Sequence, residues 1–281
     1  MPSVALKAGT IHYESSGPAD GRPVVFVHGY AMGRSLWRPL ADRLAAGGLR
    51  CLAPTWPLGA QTEAMQDGAD LTMEGVAAMV GQLLETLGLE DVVLVGNDTG
   101  GAIAQIVATS TPARLGALVL TSCDAFEHFP PPVLKPLMVA ATFPTTFQVA
   151  LQPLRTRFGR KQAYGKLAHA DITGLAAEWV RPALTDRRIR EDLRGFTASL
   201  NPRPLVAAGE RLPQFVKPAL VAWSANDEFF PFEDGRRLAA ALPNSRLAVV
   251  QDARTFSMID QPDVLAGLIT ELGGTNGAGH A

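Results

Sequence analysis

The sequence contains few of the residues on which disulfide frameworks, metal clusters and polyanion-binding surfaces depend. Its only two cysteines, Cys51 and Cys123, are too few for a disulfide framework or an all-cysteine metal site. Lysine and arginine number 25 against 27 aspartates and glutamates, so the chain has no cationic excess to neutralise nucleic-acid phosphates. We therefore expect no metal site and no nucleic-acid partner.

Long apolar runs and targeting signals are missing as well. No run approaches the roughly 20 apolar residues of a transmembrane helix, and residues 1–9 lack the basic and then apolar pattern of a signal peptide. Hydrophobic residues make up 47% and charged residues 19% of the chain, a composition typical of folded rather than disordered proteins. We expect a cytoplasmic protein without a membrane partner, and the sequence does not indicate its oligomeric state.

Short apolar runs alternate with segments of helical periodicity along most of the chain. The runs are rich in valine and leucine without polar alternation, which is typical of parallel strands buried on both faces. The predicted strands are 24–27, 49–53, 92–95, 117–120, 219–223 and 247–250. The predicted helices between them are 36–45, 72–87, 102–110, 232–242 and 262–272.

This alternation fails between residues 126 and 218, where prolines separate short helical pieces. A stretch of this kind between two strands of one sheet is best explained as a cap over the carboxyl edge of that sheet. We expect a core of residues 1–125 and 219–272, a helical cap at 126–218 and a flexible glycine-rich tail at 273–281.

The residues suited to chemistry cluster at the ends of two predicted strands. One strand runs into the turn 28–30, His-Gly-Tyr, and another into the segment 96–100, Gly-Asn-Asp-Thr-Gly. The second has the pattern of a nucleophile elbow with aspartate in the central place. Its glycines permit a strained turn that lifts Asp98 above the sheet, and the amide of Thr99 at the helix start can stabilise negative charge there.

With these motifs the sequence resembles the α/β-hydrolase superfamily, specifically its branch with an aspartate nucleophile: haloalkane dehalogenases, haloacetate dehalogenases and epoxide hydrolases. The resemblance covers about residues 10–272 and also rests on the proline-rich cap and on the segments 223–227 and 252–256 after two late strands. It implies an α/β-hydrolase fold, with a mostly parallel sheet of about eight strands and a helical cap inserted after the sixth.

The resemblance also implies roles for individual residues. Asp98 is expected to be the nucleophile, Asp227 the acid that orients a histidine, and the amides of Tyr30 and Thr99 the oxyanion donors. Asp124 matches an alternative acid position of some dehalogenases.

The histidine of the family is missing, because Thr255 occupies its place and the only histidine after Asp227 is His280 in the predicted tail. A carboxylate that attacks carbon forms an ester, which is released only when a base activates water, and threonine is no base at neutral pH. Tyr30 and Thr99 also stand where haloalkane dehalogenases usually have asparagine and tryptophan to hold the halide. Haloalkane dehalogenation is therefore disfavoured.

Three other histidines bear on the site. His28 adjoins the oxyanion turn and is, with Tyr30 and Thr99, a candidate oxyanion or substrate-binding residue. In this fold its imidazole most often holds the turn. His128 and His169, in the predicted cap, are the only candidates for a substitute base.

Three functions remain open. The leading hypothesis is a cofactor-free enzyme acting on a small, largely apolar molecule, such as an epoxide or ester, in a capped pocket centred on Asp98. The alternatives are a non-hydrolytic acid–base enzyme that uses Asp98 for cyclisation, elimination or isomerisation, and a catalytically inactive small-molecule-binding protein. A nucleotide site is disfavoured, because the segment 96–101 matches neither glycine-rich phosphate motif.

Overall fold

The valine- and leucine-rich runs form the strands of one sheet in the computed structural model, which describes residues 1–274. In sheet order the strands run β1-β2-β4-β3-β5-β6-β7-β8; β1 and β2 pair antiparallel, as do β2 and β4, and the remaining pairs are parallel. The predicted mostly parallel sheet of about eight strands is confirmed. The strands are β1 (Ser3–Leu6), β2 (Gly9–Ser16), β3 (Pro23–Val27), β4 (Arg50–Pro54), β5 (Val92–Asp98), β6 (Leu115–Cys123), β7 (Ala219–Ser224) and β8 (Ser245–Val250).

Helices cover both faces of the sheet and fill the connection between β6 and β7. The hydroxyl of Thr72 caps one of them by accepting a hydrogen bond from the amide of Gly75 at 3.1 Å. The helices are α1 (Arg38–Ala46), α2 (Met73–Thr86), α3 (Thr99–Ser110), α4 (Lys135–Ala140), α5 (Pro144–Leu151), α6 (Arg157–Tyr164), α7 (Thr173–Thr185), α8 (Arg187–Ser199), α9 (Arg203–Arg211), α10 (Phe232–Ala241), α11 (Ser257–Asp260) and α12 (Pro262–Gly274).

Two buried apolar clusters lie on opposite faces of the sheet. Val25 and Val27 of β3 belong to the cluster that includes α2 and α3, whereas Val24 and Phe26 belong to the cluster that includes α1, α7 and α12. Because successive side chains of a strand point to opposite faces, both faces of β3 must be apolar, which explains the unbroken hydrophobic run in the sequence.

The cap consists of helices α4–α9 and lies over the carboxyl ends of the strands, as predicted for an insertion after the sixth strand. The predicted tail, 273–281, lies outside the described residues apart from the two glycines in which α12 ends. No helix within residues 1–274 is long and apolar enough to cross a membrane.

Candidate active site

Asp98 lies in a strained turn between β5 and α3. Its φ is +55°, a conformation that non-glycine residues seldom adopt and that recurs at functional sites. Two glycines make the turn possible: a Cβ on Gly100 would overlap the carbonyl oxygen of Val27, and a Cβ on Gly29 would overlap Oδ1 of Asp98 itself. The local sequence thus brings the Asp98 carboxylate against the backbone that follows β3.

Two backbone amides hold one oxygen of this carboxylate. Oδ1 of Asp98 accepts hydrogen bonds from the amide of Thr99 at 2.6 Å and from the amide of Tyr30 at 3.1 Å. Thr99 is the first residue of α3, so its amide lies at the positive end of the helix dipole. This arrangement stabilises negative charge on Oδ1, and both hydrogen bonds end on that oxygen.

Asp124, which follows β6, lies next to this carboxylate and is only 4% exposed. The hydroxyl of Thr99 donates to Asp124 Oδ2 at 3.0 Å, so Thr99 contacts both acids. Burial raises the pKa of Asp98, against the lowering effect of the amides of Thr99 and Tyr30. Burial and the charge of Asp98 raise the pKa of Asp124 well above its ordinary value. The pair therefore favours an ionised Asp98 beside a protonated Asp124.

Asp227, after β7, faces Thr255, after β8. The hydroxyl of Thr255 donates to Asp227 Oδ1 at 3.1 Å, and the amides of Phe229 and Phe230 donate to the same oxygen at 2.8 and 3.0 Å. The side-chain amide of Asn97 donates to the carbonyl oxygen of Thr255 at 3.0 Å, which ties this loop to the turn that carries Asp98. Burial raises the pKa of Asp227, whereas its hydrogen-bond donors lower it.

His28 is fully buried and both of its ring nitrogens have partners. The amide of Trp56 donates to Nε2 at 2.9 Å, so the proton is on Nδ1, which donates to the carbonyl oxygen of Gly29 at 3.0 Å. Burial lowers the pKa of His28 to about 4. The residue is therefore a neutral support of the turn and is not among the residues that line the cavity described below.

His128 forms a pair with the buried carboxylate of Asp234, on the first turn of α10. Nδ1 of His128 lies 2.8 Å from Oδ2 and 2.9 Å from Oδ1 of Asp234. In the same segment Glu127 pairs with Arg237 at 2.8 Å, and the Arg237 guanidinium lies 4.1 Å from the ring centroid of Phe126. These contacts fasten the chain after β6 to α10. His128 lines a groove beside the cavity rather than the cavity itself.

His169 is exposed and forms no hydrogen bond with Asp98 or Asp124. Its backbone amide donates to Asp260 at 2.9 Å, and it is not among the residues that line the cavity. The structure thus brings Asp98, Asp124, Asp227 and Thr255 together and leaves His169 apart from them.

A cavity of about 520 Å³ lies between the cap and the carboxyl edge of the sheet, with Asp98 and Asp124 in its wall. This volume is in the range of small-molecule sites. The hydroxyls of its two tyrosines are already bonded, that of Tyr30 to Thr197 at 2.6 Å and that of Tyr164 to a backbone carbonyl at 2.9 Å. No lysine, arginine or histidine of residues 1–274 lines it. The apolar wall includes Leu134, Leu137, Leu154, Phe158, Leu167, Phe229 and Phe230.

Two contributors to this region escaped the sequence analysis. Tyr164 is an isolated aromatic at the end of a cap helix, and no local pattern marks it as lining a cavity. Asp234 follows Pro231 at the start of a predicted helix. That position indicates a helix terminus, and nothing in the local sequence indicates that Asp234 pairs with a histidine 106 residues away.

Comparisons with known proteins agree with the topology. A family model described as alpha/beta hydrolase fold matches residues 22–262. The 2-hydroxy-6-oxononadienedioate/2-hydroxy-6-oxononatrienedioate hydrolase 2 of Pseudomonas putida is 31% identical over 275 residues, which are 93% of this chain and 90% of that protein. The 2-hydroxy-6-oxononadienedioate/2-hydroxy-6-oxononatrienedioate hydrolase of Paraburkholderia phymatum is 30% identical over 261 residues, which are 87% of this chain and 85% of that protein.

Solved structures share the fold at lower identity. The enol-lactonase from Burkholderia xenovorans superposes with a TM-score of 0.75 at 20% identity and covers 96% of this chain and 99% of its own. An ancestral haloalkane dehalogenase superposes with a TM-score of 0.78 at 19% identity, over 97% of this chain and 99% of its own. At such identities the likeness concerns the fold alone.

Proposed function

Because the chain belongs to the α/β-hydrolase fold family, we propose that it is an enzyme that hydrolyses a small, uncharged, largely apolar molecule through a covalent ester of Asp98. The observation that carries the proposal is the Asp98 carboxylate, held by Oδ1 on two amides in the wall of a capped apolar cavity. An epoxide or an ester is the substrate class that this site suits.

In the first step Oδ2 of Asp98 attacks an electrophilic carbon of the substrate, because both hydrogen bonds to Asp98 end on Oδ1. The new carbon–oxygen bond forms as the bond to the leaving oxygen breaks, and that oxygen keeps the electron pair. Asp124, whose raised pKa favours its protonated form, gives its proton to the leaving oxygen. With an epoxide the step thus ends with an Asp98 ester and a neutral hydroxyl, whereas attack on the acyl carbon of an ester substrate ends with a mixed anhydride of Asp98 and a neutral alcohol.

In the second step water attacks the carbonyl carbon of the ester. The negative charge that develops on Oδ1 is stabilised by the amides of Tyr30 and Thr99, which already point at this oxygen. Collapse of the intermediate breaks the bond between the carbonyl carbon and the product oxygen, which takes one proton of the water, and the other proton passes to Asp124, so that the Asp98 carboxylate and the protonated Asp124 are both restored. One oxygen atom of the carboxylate then derives from water.

A second candidate is proton transfer without hydrolysis, and the contact between Thr99 and Asp124 favours it. An ionised and a protonated carboxyl group side by side in an apolar cavity can take a proton from carbon and give one to oxygen, as other apolar acid–base sites do. Such an isomerisation, elimination or cyclisation needs neither an ester nor a base for water.

Isotope labelling distinguishes the two candidates. The protein is incubated with a neutral aromatic epoxide or an activated ester in ¹⁸O-water, and the peptide that contains residues 96–101 is analysed by mass spectrometry. The proposed function predicts ¹⁸O in the Asp98 carboxylate and no turnover by Asp98→Asn. Turnover without label or adduct at Asp98 overturns the covalent mechanism, and a product that has also gained no ¹⁸O favours proton transfer.

A further inference from the structure

Asp227 has one carboxylate oxygen saturated with hydrogen bonds and one with none. Oδ1 accepts three, from Thr255, Phe229 and Phe230. Oδ2 is buried and has no hydrogen bond of normal geometry among residues 1–274, although the nearby hydroxyl of Ser122 helps to lower the pKa of Asp227. Buried carboxylate oxygens are normally paired, because desolvation without a partner is costly. Asp227 is not itself among the residues that line the cavity, but Phe229 and Phe230, whose amides donate to it, are, so Oδ2 is an acceptor with spare capacity directly behind the cavity wall.

The loop that carries Asp227 provides a second unpartnered polar atom. Oγ of Ser224, three residues earlier, is also buried and has no partner among the described residues. A hydroxyl donor and a carboxylate acceptor left unpaired within one short segment are the kind of partners that a buried water molecule joins.

Within residues 1–274, no cation forms an ion pair with Asp227. Other acids of the chain have close cationic partners, for example Glu14 with Arg34 at 3.0 Å and Asp263 with Arg43 at 2.8 Å. A buried carboxylate without a cation accepts a proton more readily than a paired one.

Asp227 and Asp98 belong to one connected unit. Asn97, adjacent to Asp98, holds the carbonyl of Thr255, and the Thr255 hydroxyl holds Oδ1 of Asp227. The charge of Asp227 also contributes to raising the pKa of Asp98, so the two carboxylates are in electrostatic reach of each other.

From these contacts we infer that Asp227 itself is the general base that activates water against the Asp98 ester, with Thr255 as the residue that positions it. This inference rests on the proposed function. Oδ2 of Asp227 takes one proton from water, whose oxygen forms a bond to the ester carbonyl carbon as an electron pair moves to Oδ1 of Asp98. When that pair returns, the ester bond breaks and the product oxygen takes the proton from Asp227.

The two steps can be followed separately by rapid quenching and intact-mass measurement with styrene oxide as the probe. Asp227→Asn is expected to form the Asp98 adduct at the wild-type rate and to hydrolyse it about 10²–10⁴-fold more slowly, the usual contribution of a general base. His128→Gln, which alters the histidine of the neighbouring groove, is expected to keep the wild-type hydrolysis rate.

Thr255 provides a readout that a purely structural role would not give. Its hydroxyl lowers the pKa of Asp227, so Thr255→Val is expected to move the rise of the hydrolysis rate with pH to higher pH. Thr255→Ser keeps the donor and is expected to leave the profile in place. Melting temperatures of all variants confirm that they fold.

The outcomes separate the two proposals. An adduct that Asp227→Asn hydrolyses as fast as wild type, or a Thr255→Val profile without a shift, overturns the role of Asp227 and leaves the Asp98 ester intact. If His128→Gln hydrolyses the adduct slowly and Asp227→Asn hydrolyses it normally, the general base is His128 of the cap and the role of Asp227 is overturned. The absence of any adduct in wild type and Asp227→Asn alike, together with unlabelled Asp98, overturns the proposed function itself.

Discussion

The hydroxyl of Thr99 donates a hydrogen bond to Oδ2 of Asp124 at 3.0 Å. The amide of the same threonine donates to Asp98, so one residue fixes the spacing of two acids. Two carboxylates this close in an apolar wall resist simultaneous ionisation, and the amides favour the charge on Asp98. In the proposed mechanism the arrangement gives the charge of the nucleophile to Asp98 and the role of proton donor to Asp124.

Asp124→Asn is expected to separate substrates by their leaving groups. An epoxide oxygen needs a proton as it leaves, so adduct formation with epoxides should slow by about 10²–10⁴-fold. An activated phenyl ester needs no such proton and should lose much less. The measurement is kcat/KM for both substrates, and an equal loss for both would contradict Asp124 as the acid.

The pH dependence of adduct formation provides a related prediction. Wild-type rates should rise with pH as Asp98 ionises, above the usual carboxyl range because its pKa is raised, and fall at higher pH as Asp124 loses its proton. Asp124→Asn should abolish the upper limb. An unchanged upper limb in this variant would assign that limb to another group.

Stability should respond to Asp124 with a definite sign. Its folded-state pKa is raised, so the wild-type protein loses stability as pH rises from the unfolded pKa through the folded one. Asp124→Asn should therefore gain unfolding free energy relative to wild type as pH rises above the unfolded-state pKa of about 4, by about 1.4 kcal/mol for each unit of pKa shift. Chemical denaturation at several pH values measures the difference. Glu127→Gln is the control, because Arg237 lowers the pKa of that exposed carboxylate and the gain should be absent.

The charge of the substrate should matter strongly. The two curated relatives are named for a dicarboxylate, whereas the cavity of this chain contains Asp98 and Asp124 and, within residues 1–274, no cationic lining residue. A carboxylate about 4 Å from Asp98 would be repelled by about 4 kcal/mol at a moderate effective dielectric constant. We expect a neutral methyl ester to exceed its free acid at least about 100-fold in kcat/KM. Equal rates for acid and ester would contradict this prediction.

Local sequence sufficed for the parts of the fold that local forces determine. Strands such as β3 and β5 are buried on both faces and must be apolar throughout, and the strained turn at Asp98 requires glycines on either side. The contacts that define the site are not local: the Tyr164 hydroxyl reaches a carbonyl 133 residues away, and His128 meets Asp234 across 106 residues. The prolines of the cap indicate where each helix begins, but they do not indicate how the helices pack against one another. The missing histidine was visible in the sequence, whereas the unpartnered Oδ2 of Asp227 was not.

Replacing Thr255 by histidine tests what the missing imidazole means for the second step. Asp227 already presents Oδ1 to this position, so it can orient an imidazole there, and hydrolysis of the Asp98 ester should then follow the titration of histidine, near pH 6.5 in its unperturbed state, instead of that of Asp227. The measurement is the pH profile of adduct decay in Thr255→His. Thr255→Gln is the matched control, since it adds comparable bulk beside the buried Phe256 without a group that titrates. Decay that follows the wild-type profile in Thr255→His would mean that the added imidazole does not reach the ester and that the loop after β8 cannot position a base.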